Sequence, residues 1–165
     1  MTEETGPFTA AATPIAEREL SLTRLIDVPR AKLFRCWSEP DLIKQWFCPR
    51  PWTTPVVEMD FRSGGTSYIL MRGPNGEEIP NHGVYLEVVR DERIVFTDAF
   101  TKPWEPSNKP FFVGSIAFAD EGGKTRYDAK VQHWTVTDRD THEKMGFHEG
   151  WGIATDQLAA LAKTL

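Results

Sequence analysis

Basic clusters and long apolar runs are both missing from this chain of 165 residues. Its net charge is −5 and no basic run is longer than two residues, whereas a nucleic-acid-binding protein needs a clustered cationic face. No apolar run approaches the length of a membrane span. The N-terminus begins acidic and lacks the basic and apolar regions of a secretory signal. We therefore expect a cytoplasmic protein with no nucleic-acid partner and no membrane span.

Cysteine is scarce as well, and the residues that bind metals are scattered. Cys36 and Cys48 lie in different local contexts without CxxC spacing, so we interpret them as reduced and inert rather than as a disulfide or a metal clip. Of the four histidines only His142 and His148 are close, and on a helix they would face roughly opposite ways. There is no HExxH motif, Walker loop, GxGxxG or GxSxG elbow. The sequence thus predicts no metal and no cofactor.

Aromatic residues, in contrast, are abundant: six Trp, ten Phe and three Tyr. Packed against a sheet, so many rings form either a large core or the wall of an apolar pocket. Composition alone leaves both interpretations open.

The C-terminal residues predict a helix over 138–165, capped by Asp138 or Asp140. From Met145 onward its apolar residues recur at steps of three and four and form one stripe. Glycine inside a helix costs roughly 1 kcal/mol relative to alanine, so the glycines at 146, 150 and 152 suggest a close approach to the backbone. Where its residues are glycines, a helix that lies across a sheet has no side chains to fill the space between them. The pattern therefore predicts a cavity beneath the helix.

The rest of the chain alternates short strands with turns. After an arm over residues 1–16, a strand over 17–27 leads to a helix that starts at Pro29 and to a second short helix over 41–46. Further strands are predicted over 56–61, 67–72, 82–89, 94–101, 111–119 and 125–137, with a Pro-rich loop over 102–110. Consecutive strands joined by short turns predict an α+β fold with an antiparallel sheet, covered on one face by the long helix.

Three segments together resemble the activator-of-Hsp90-ATPase-like family of the helix-grip (SRPBCC) superfamily, which includes START, Bet v 1-like and polyketide cyclase-like domains. The first is TRLIDVPRAKLFRCWSEPDLIKQWFCP. The second is MDFRSGGTSYILMRGPNGEE, running into HGVYLEVVRDERIVFTDAF. The third is GGKTRYDAKVQHW, continued by MGFHEGWGIATDQLAAL. Their order and spacing carry the match, which extends over residues 17–165.

The resemblance implies one helix-grip domain over 17–165. Its curved antiparallel sheet of about six to seven strands would grip the long C-terminal helix, with two short helices after the first strand and a deep pocket between sheet and helix. Eukaryotic Hsp90 activators carry a separate N-terminal domain with an Asn- and Trp-rich motif, and nothing in this sequence matches it. This departure argues against an Hsp90-type chaperone as partner. A homodimer is left open.

Two polar residues stand out as candidates within that pocket. Alternation places His133 on the face of the last strand that turns toward the helix, with Tyr127 and Val131. There it could donate a hydrogen bond to a ligand or act as a base, or it could simply be satisfied by a neighbouring group. Asp98 lies between Phe96 and Phe100 in the pattern, and an unpaired buried carboxylate is costly. It is therefore either a water-exposed residue at the mouth or a polar anchor inside the pocket.

The preferred function is non-catalytic binding of a small hydrophobic or amphipathic molecule, with a cyclase- or hydrolase-like enzyme using His133 or Asp98 as the alternative. A co-chaperone module is the third interpretation. The aromatic residues near the expected mouth, at 46, 47 and 52, are either core or pocket lid. The candidate ligand-binding residues are Trp46, Phe47, Trp52, Tyr68, Leu70, Phe96, Asp98, Phe100, Tyr127, Val131, His133, Phe147 and Trp151.

Overall fold

The structure, a computed structural model, describes residues 13–165. The arm predicted over residues 1–16 therefore lies mostly outside the described residues. The described part opens with a single 3₁₀ turn over Ile15–Arg18, where the sequence pattern predicted the first strand to begin at residue 17.

Seven strands form one antiparallel sheet, which confirms the predicted fold class. Their spatial order is β1-β9-β8-β5-β4-β3-β2. Two further short strands, β6 and β7, pair with each other in a separate hairpin. The first of them takes up the end of the strand predicted over 94–101, and the second lies in the predicted Pro-rich loop. The strands are β1 (Glu19–Ile26), β2 (Thr53–Met59), β3 (Thr66–Arg72), β4 (Glu78–Val89), β5 (Arg93–Thr97), β6 (Phe100–Lys102), β7 (Glu105–Pro106), β8 (Phe112–Glu121) and β9 (Lys124–His133).

Alternation along β9 decides which face of the sheet is buried. Tyr127, Ala129, Val131 and His133 are each no more than 2% exposed, whereas the lysine at 130 between them is exposed. Side chains in a strand point to opposite faces in turn, so the prediction that the first set faces the helices is confirmed.

Four helices pack on that face. They are α1 (Arg30–Ser38), α2 (Pro40–Ile43), α3 (Val136–Lys144) and α4 (Phe147–Ala162). Proline starts both of the first two: Pro29 precedes α1, and Pro40 is the first residue of α2. The missing N–H of proline costs nothing in a first turn, where amides have no partner within the helix.

The prediction of one continuous C-terminal helix over 138–165 is wrong in two respects. The helical segment begins at Val136, and its cap is Thr135, whose hydroxyl accepts a hydrogen bond from the backbone N–H of Asp138 at 3.0 Å. The helix is also interrupted at Gly146, which has φ +93° and ψ 36°. Glycine enters this left-handed region without steric cost, so the chain changes direction there and starts α4 anew.

The predicted close approach to the helix backbone occurs at one of the two glycines of α4 and not at the other. A Cβ on Gly152 would lie 3.2 Å from the Arg24 guanidinium, whereas a Cβ on Gly150 would meet nothing within 4 Å. The inner side of α4 packs on α1 and β1, where Ala154, Leu158 and Ala162 join the main core. The space beneath α4 is therefore occupied by the protein's own side chains, and no residue of α4 lines either of the cavities described below.

Two alanine substitutions should change stability in opposite directions. We expect Gly146→Ala to lower the free energy of unfolding by roughly 1–2 kcal/mol, because a Cβ is strained in the left-handed region. Gly150→Ala should raise it by about 1 kcal/mol, because alanine is the better helix former and its Cβ meets open space. Urea unfolding of the two variants beside the unsubstituted protein measures both. A destabilised Gly150→Ala variant would mean that something does approach the backbone there.

Candidate functional site

An interior cavity of about 320 Å³ lies between α1 and the middle of the sheet. Its lining combines rings and aliphatic side chains, which we call its apolar side, with polar side chains, which we call its polar side. The apolar side consists of Trp37, Phe47, Ile69, Tyr85, Phe96 and Phe112. The polar side consists of Ser67, Asn81, His82, Thr97, Asp98, Thr101, Ser107 and Lys109.

On the apolar side, Trp37 is held in place by a hydrogen bond and by contacts with two other rings. Its indole N–H donates to the hydroxyl of Tyr127 at 3.2 Å, in a buried position. Its ring lies 5.8 Å from the ring of Phe96 and 6.3 Å from that of Phe47, measured between centroids. Because the N–H is already bonded on the core side, Trp37 offers the cavity only apolar surface.

Gly114 on β8 lets the Phe96 ring lie flat against the neighbouring strand. A Cβ at this position would come within 2.7 Å of the Phe96 ring and 3.3 Å of the Phe112 ring. Any side chain here would push Phe96 away from the sheet. The glycine thus sets how far the aromatic wall stands from α1.

Asp98 anchors the loop that forms the polar side. One of its carboxylate oxygens accepts hydrogen bonds from the backbone N–H groups of Phe111 and Phe112, at 2.8 and 3.1 Å. Nearby, the Thr97 hydroxyl donates to the carbonyl of Phe112 at 2.9 Å. These bonds hold the two ends of the segment between β5 and β8 together, so the Asp98 carboxylate is half-buried and partnered rather than left without hydrogen bonds.

A second, wider cavity of about 630 Å³ adjoins the first along β2 and β3. The two share Ser67, His82 and Thr101. Charged groups line this outer groove, with carboxylates at 58 and 60 and an ammonium at 102. Within it, the rings of Tyr68 and His82 stack with centroids 4.6 Å apart.

The structure brings together only some of the predicted site residues. Phe47, Phe96 and Asp98 line the interior cavity and Tyr68 lines the outer groove, whereas Trp52, Leu70 and Phe100 line neither. The remaining candidates, which lie in the packed core or border it without lining a cavity, are Trp46, Tyr127, Val131, His133, Phe147 and Trp151.

Sequence reasoning missed five lining residues that matter. Trp37 lies among the buried residues of α1, where an aromatic residue is expected in the core, and Tyr85 and Phe112 carry no signal beyond strand alternation. Tyr85 is the register partner of Phe96, and only the pairing of the strands reveals this. Ser107 and Lys109 lie in the polar segment between β7 and β8. The composition of a loop does not indicate which of its side chains point inward.

His133 does not reach the cavity, because both of its ring nitrogens are already bonded. Nδ1 lies 2.8 Å from the carbonyl oxygen of Arg18, and Nε2 lies 2.8 Å from Nδ1 of His142. The Arg18 carbonyl can only accept, so His133 carries its proton on Nδ1, and His142 donates to Nε2. Of the two readings left open from sequence, the geometry supports a histidine satisfied by its neighbours.

His142 shares this pair among aromatic rings. Its ring centroid lies 5.1 Å from that of Phe111, 5.9 Å from that of Phe112 and 5.3 Å from that of Phe147. Burial, and secondly the nearby His133, lower the pKa of His142 from 6.5 to about 4. His142 is therefore neutral at physiological pH. Sequence reasoning compared His142 only with His148, because β9 and α3 are brought together by the fold.

The two cysteines are buried and free. Burial raises the pKa of the Cys36 thiol to about 11, and burial also raises that of Cys48. Both are thus protonated at neutral pH and poor nucleophiles, in agreement with the interpretation of an inert pair. Within residues 13–165, no group of three or more His, Cys, Asp or Glu side chains is placed to hold a metal ion. No helix in that range is long and apolar enough to cross a membrane.

Comparison with known proteins gives a consistent picture. The profile of the family described as activator of Hsp90 ATPase homolog 1-like protein matches residues 27–163. A crystal structure of a Nitrosomonas europaea protein is 39% identical over 90% of this chain and 96% of that one, with a TM-score of 0.87. Proteins from Mycobacterium smegmatis (21% identity, 92% and 94% covered, TM-score 0.77) and Rhodobacter sphaeroides (17%, 94% and 99%, 0.79) share the fold. No curated protein matches the chain.

Removing the Asp98 carboxylate should loosen the polar side of the cavity. We expect Asp98→Ala to lower the free energy of unfolding by about 1–3 kcal/mol, because two buried N–H groups lose their acceptor. Asp98→Asn keeps an acceptor oxygen and should cost much less. Amide hydrogen exchange at Phe111 and Phe112, followed beside urea unfolding, locates the effect. Equal losses in the two variants would show that the carboxylate does not act through these amides.

Acid should destabilise the protein through His142. Its folded pKa of about 4 lies below the unfolded value of 6.5. As the pH falls through this window, only the unfolded chain takes up the proton, so stability is lost by at most about 3 kcal/mol. His142→Gln removes this titration, and the slope of unfolding free energy against pH between 6.5 and 4 should flatten. His148→Gln, which changes an exposed histidine on α4, is the matched control and should leave most of the slope in place.

Proposed function

Because the chain belongs to the activator of Hsp90 ATPase homolog 1-like family, whose fold commonly binds hydrophobic ligands, we propose that it binds a small hydrophobic or amphipathic molecule. The proposed binding site is the interior cavity beside α1. It is not the space beneath α4, which core side chains occupy.

The observation that carries this proposal is the aromatic wall of the cavity. Small-molecule sites have volumes of roughly 300–1,000 Å³ and are lined mostly by apolar and aromatic side chains with a few polar groups. The interior cavity has a volume of about 320 Å³. The rings of Trp37, Phe47, Phe96 and Phe112 face it from α1, from the segment after α2 and from the middle of the sheet.

The size of the cavity suits a ligand of one or two rings. Burial of roughly 150 Å² of apolar ligand area contributes about 4 kcal/mol, at about 25 cal/mol per Å². The entropic cost of ordering the ligand offsets part of this free energy. We therefore expect weak affinities for purely apolar compounds, with tighter binding when the polar side of the cavity is also engaged.

An enzyme that uses His133 or Asp98 as its base has less support. His133 lies outside the cavity with both nitrogens bonded. Asp98 lines the cavity, but the carboxylate oxygen that accepts hydrogen bonds does so from two loop amides. A general base needs an unengaged lone pair within reach of the substrate proton. His133 has none, and at Asp98 only the second carboxylate oxygen, which accepts no hydrogen bond from the described residues, is left for that role. A chaperone partner has no comparable support among the described residues.

Filling the cavity should abolish binding. We expect Ile69→Trp to weaken binding of 2-naphthylmethanol by at least about tenfold, because the added ring occupies the space proposed for the ligand. Ile153→Trp makes the same change on the exposed side of α4 and should leave affinity unchanged. Trp fluorescence and calorimetric titration measure binding, and circular dichroism checks folding. No response of the unsubstituted protein to a broad set of one- and two-ring compounds would contradict the proposal.

A further inference from the structure

We infer that the ligand is an organic acid: an apolar body lies against the aromatic wall, and a carboxylate is held by Ser107 and Lys109. The inference rests on the proposed function and deepens it, since it names the chemical class of the ligand. It rests on which polar groups around the cavity already have a hydrogen-bond or ion-pair partner within the protein and which do not.

Ser107 is the first of these groups. Its hydroxyl oxygen is buried and has no hydrogen-bond partner, the only such side-chain atom among residues 13–165. Its position is fixed, because its backbone N–H donates to the carbonyl of Ala99 at 2.8 Å. Buried polar groups are almost always bonded, and Ser107 lines the interior cavity. An acceptor atom on a bound ligand would supply the missing partner.

Lys109 places a positive charge on the same side of the cavity, two residues further along the chain. None of the ion pairs formed by the described residues includes it. The Ser107 hydroxyl and the Lys109 ammonium lie in the same segment between β7 and β8 and line the same cavity, and two such donors match the two oxygens of a carboxylate, one for each donor.

Asp98 decides the sign of the ligand charge. It is the only carboxylate that lines the interior cavity, and it makes no ion pair with Lys109 within 4 Å. Its bonded oxygen accepts from the amides of Phe111 and Phe112, which holds the carboxylate toward the loop backbone. Two N–H groups thus already offset part of the Asp98 charge, whereas no carboxylate of the described residues lies within 4 Å of the Lys109 ammonium. An anionic ligand would complete a pair with Lys109.

Three probes with one naphthalene ring test this assignment by calorimetry: 2-naphthoic acid, 2-naphthylmethanol and 2-naphthylmethylamine. In the unsubstituted protein we expect the acid to bind at least about tenfold more tightly than the alcohol, and the amine more weakly than either. Lys109→Met should remove most of this preference for the acid and change binding of the alcohol less than about twofold. Lys109→Arg should keep the preference, and raised salt should reduce it.

Ser107→Ala should weaken binding of the acid and leave the fold intact, since it removes an unbonded atom. Lys124→Met, in the turn between β8 and β9, is the matched control and should change neither affinity. If the alcohol binds as tightly as the acid, or if Lys109→Met leaves the preference for the acid unchanged, the assignment is overturned while the proposed function stands. If no probe binds the unsubstituted protein, both fall together.

Discussion

The width of the sheet is the constraint on which the rest of this molecule depends. Seven strands spaced by about 4.8 Å span roughly 29 Å, whereas an α-helix with its side chains is only about 10 Å wide. The helix α4 packs on α1 and on the edge strand β1, so it covers one end of the buried face. The middle must be covered by something else, and α1, α2 and the segment between β5 and β8 do this incompletely. The interior cavity is the space that they leave.

The aromatic residues turn that space into a surface suited to apolar compounds. The indole N–H groups of Trp37 and Trp46 are bonded within the core, to the Tyr127 hydroxyl and the Cys36 carbonyl. Buried polar groups that already have partners hold their rings in place. The wall toward the cavity is therefore rigid and apolar, and it is built largely before any ligand arrives.

The other polar groups in and near the cavity also differ in whether they already have a bonding partner within the protein. Asp98 is tied to the loop backbone, and the His133–His142 pair is tied to the chain at Arg18, so these residues act on the structure of the protein. The Ser107 hydroxyl has no hydrogen-bond partner within the described residues, and Lys109 takes part in no ion pair there. His133 and Asp98, the two polar candidates from the sequence, thus already accept or donate hydrogen bonds within the protein. The side chains of Ser107 and Lys109, in the loop between β7 and β8, remain free to bind a ligand.

The sequence by itself determined the fold class, the succession of the seven sheet strands along the chain and the inward face of β9. These follow from alternation, turn residues and proline positions, which act over a few neighbouring residues. It also indicated an aromatic-rich interior and inert cysteines. Only the tertiary structure decided where the cavity lies. The pairing of Tyr85 with Phe96 and the contact between His133 and His142 each join residues of two different elements. Hydrogen bonds between elements, like those of Asp98 and His133, are absent from any local pattern, so residue type alone did not show that these groups already have partners.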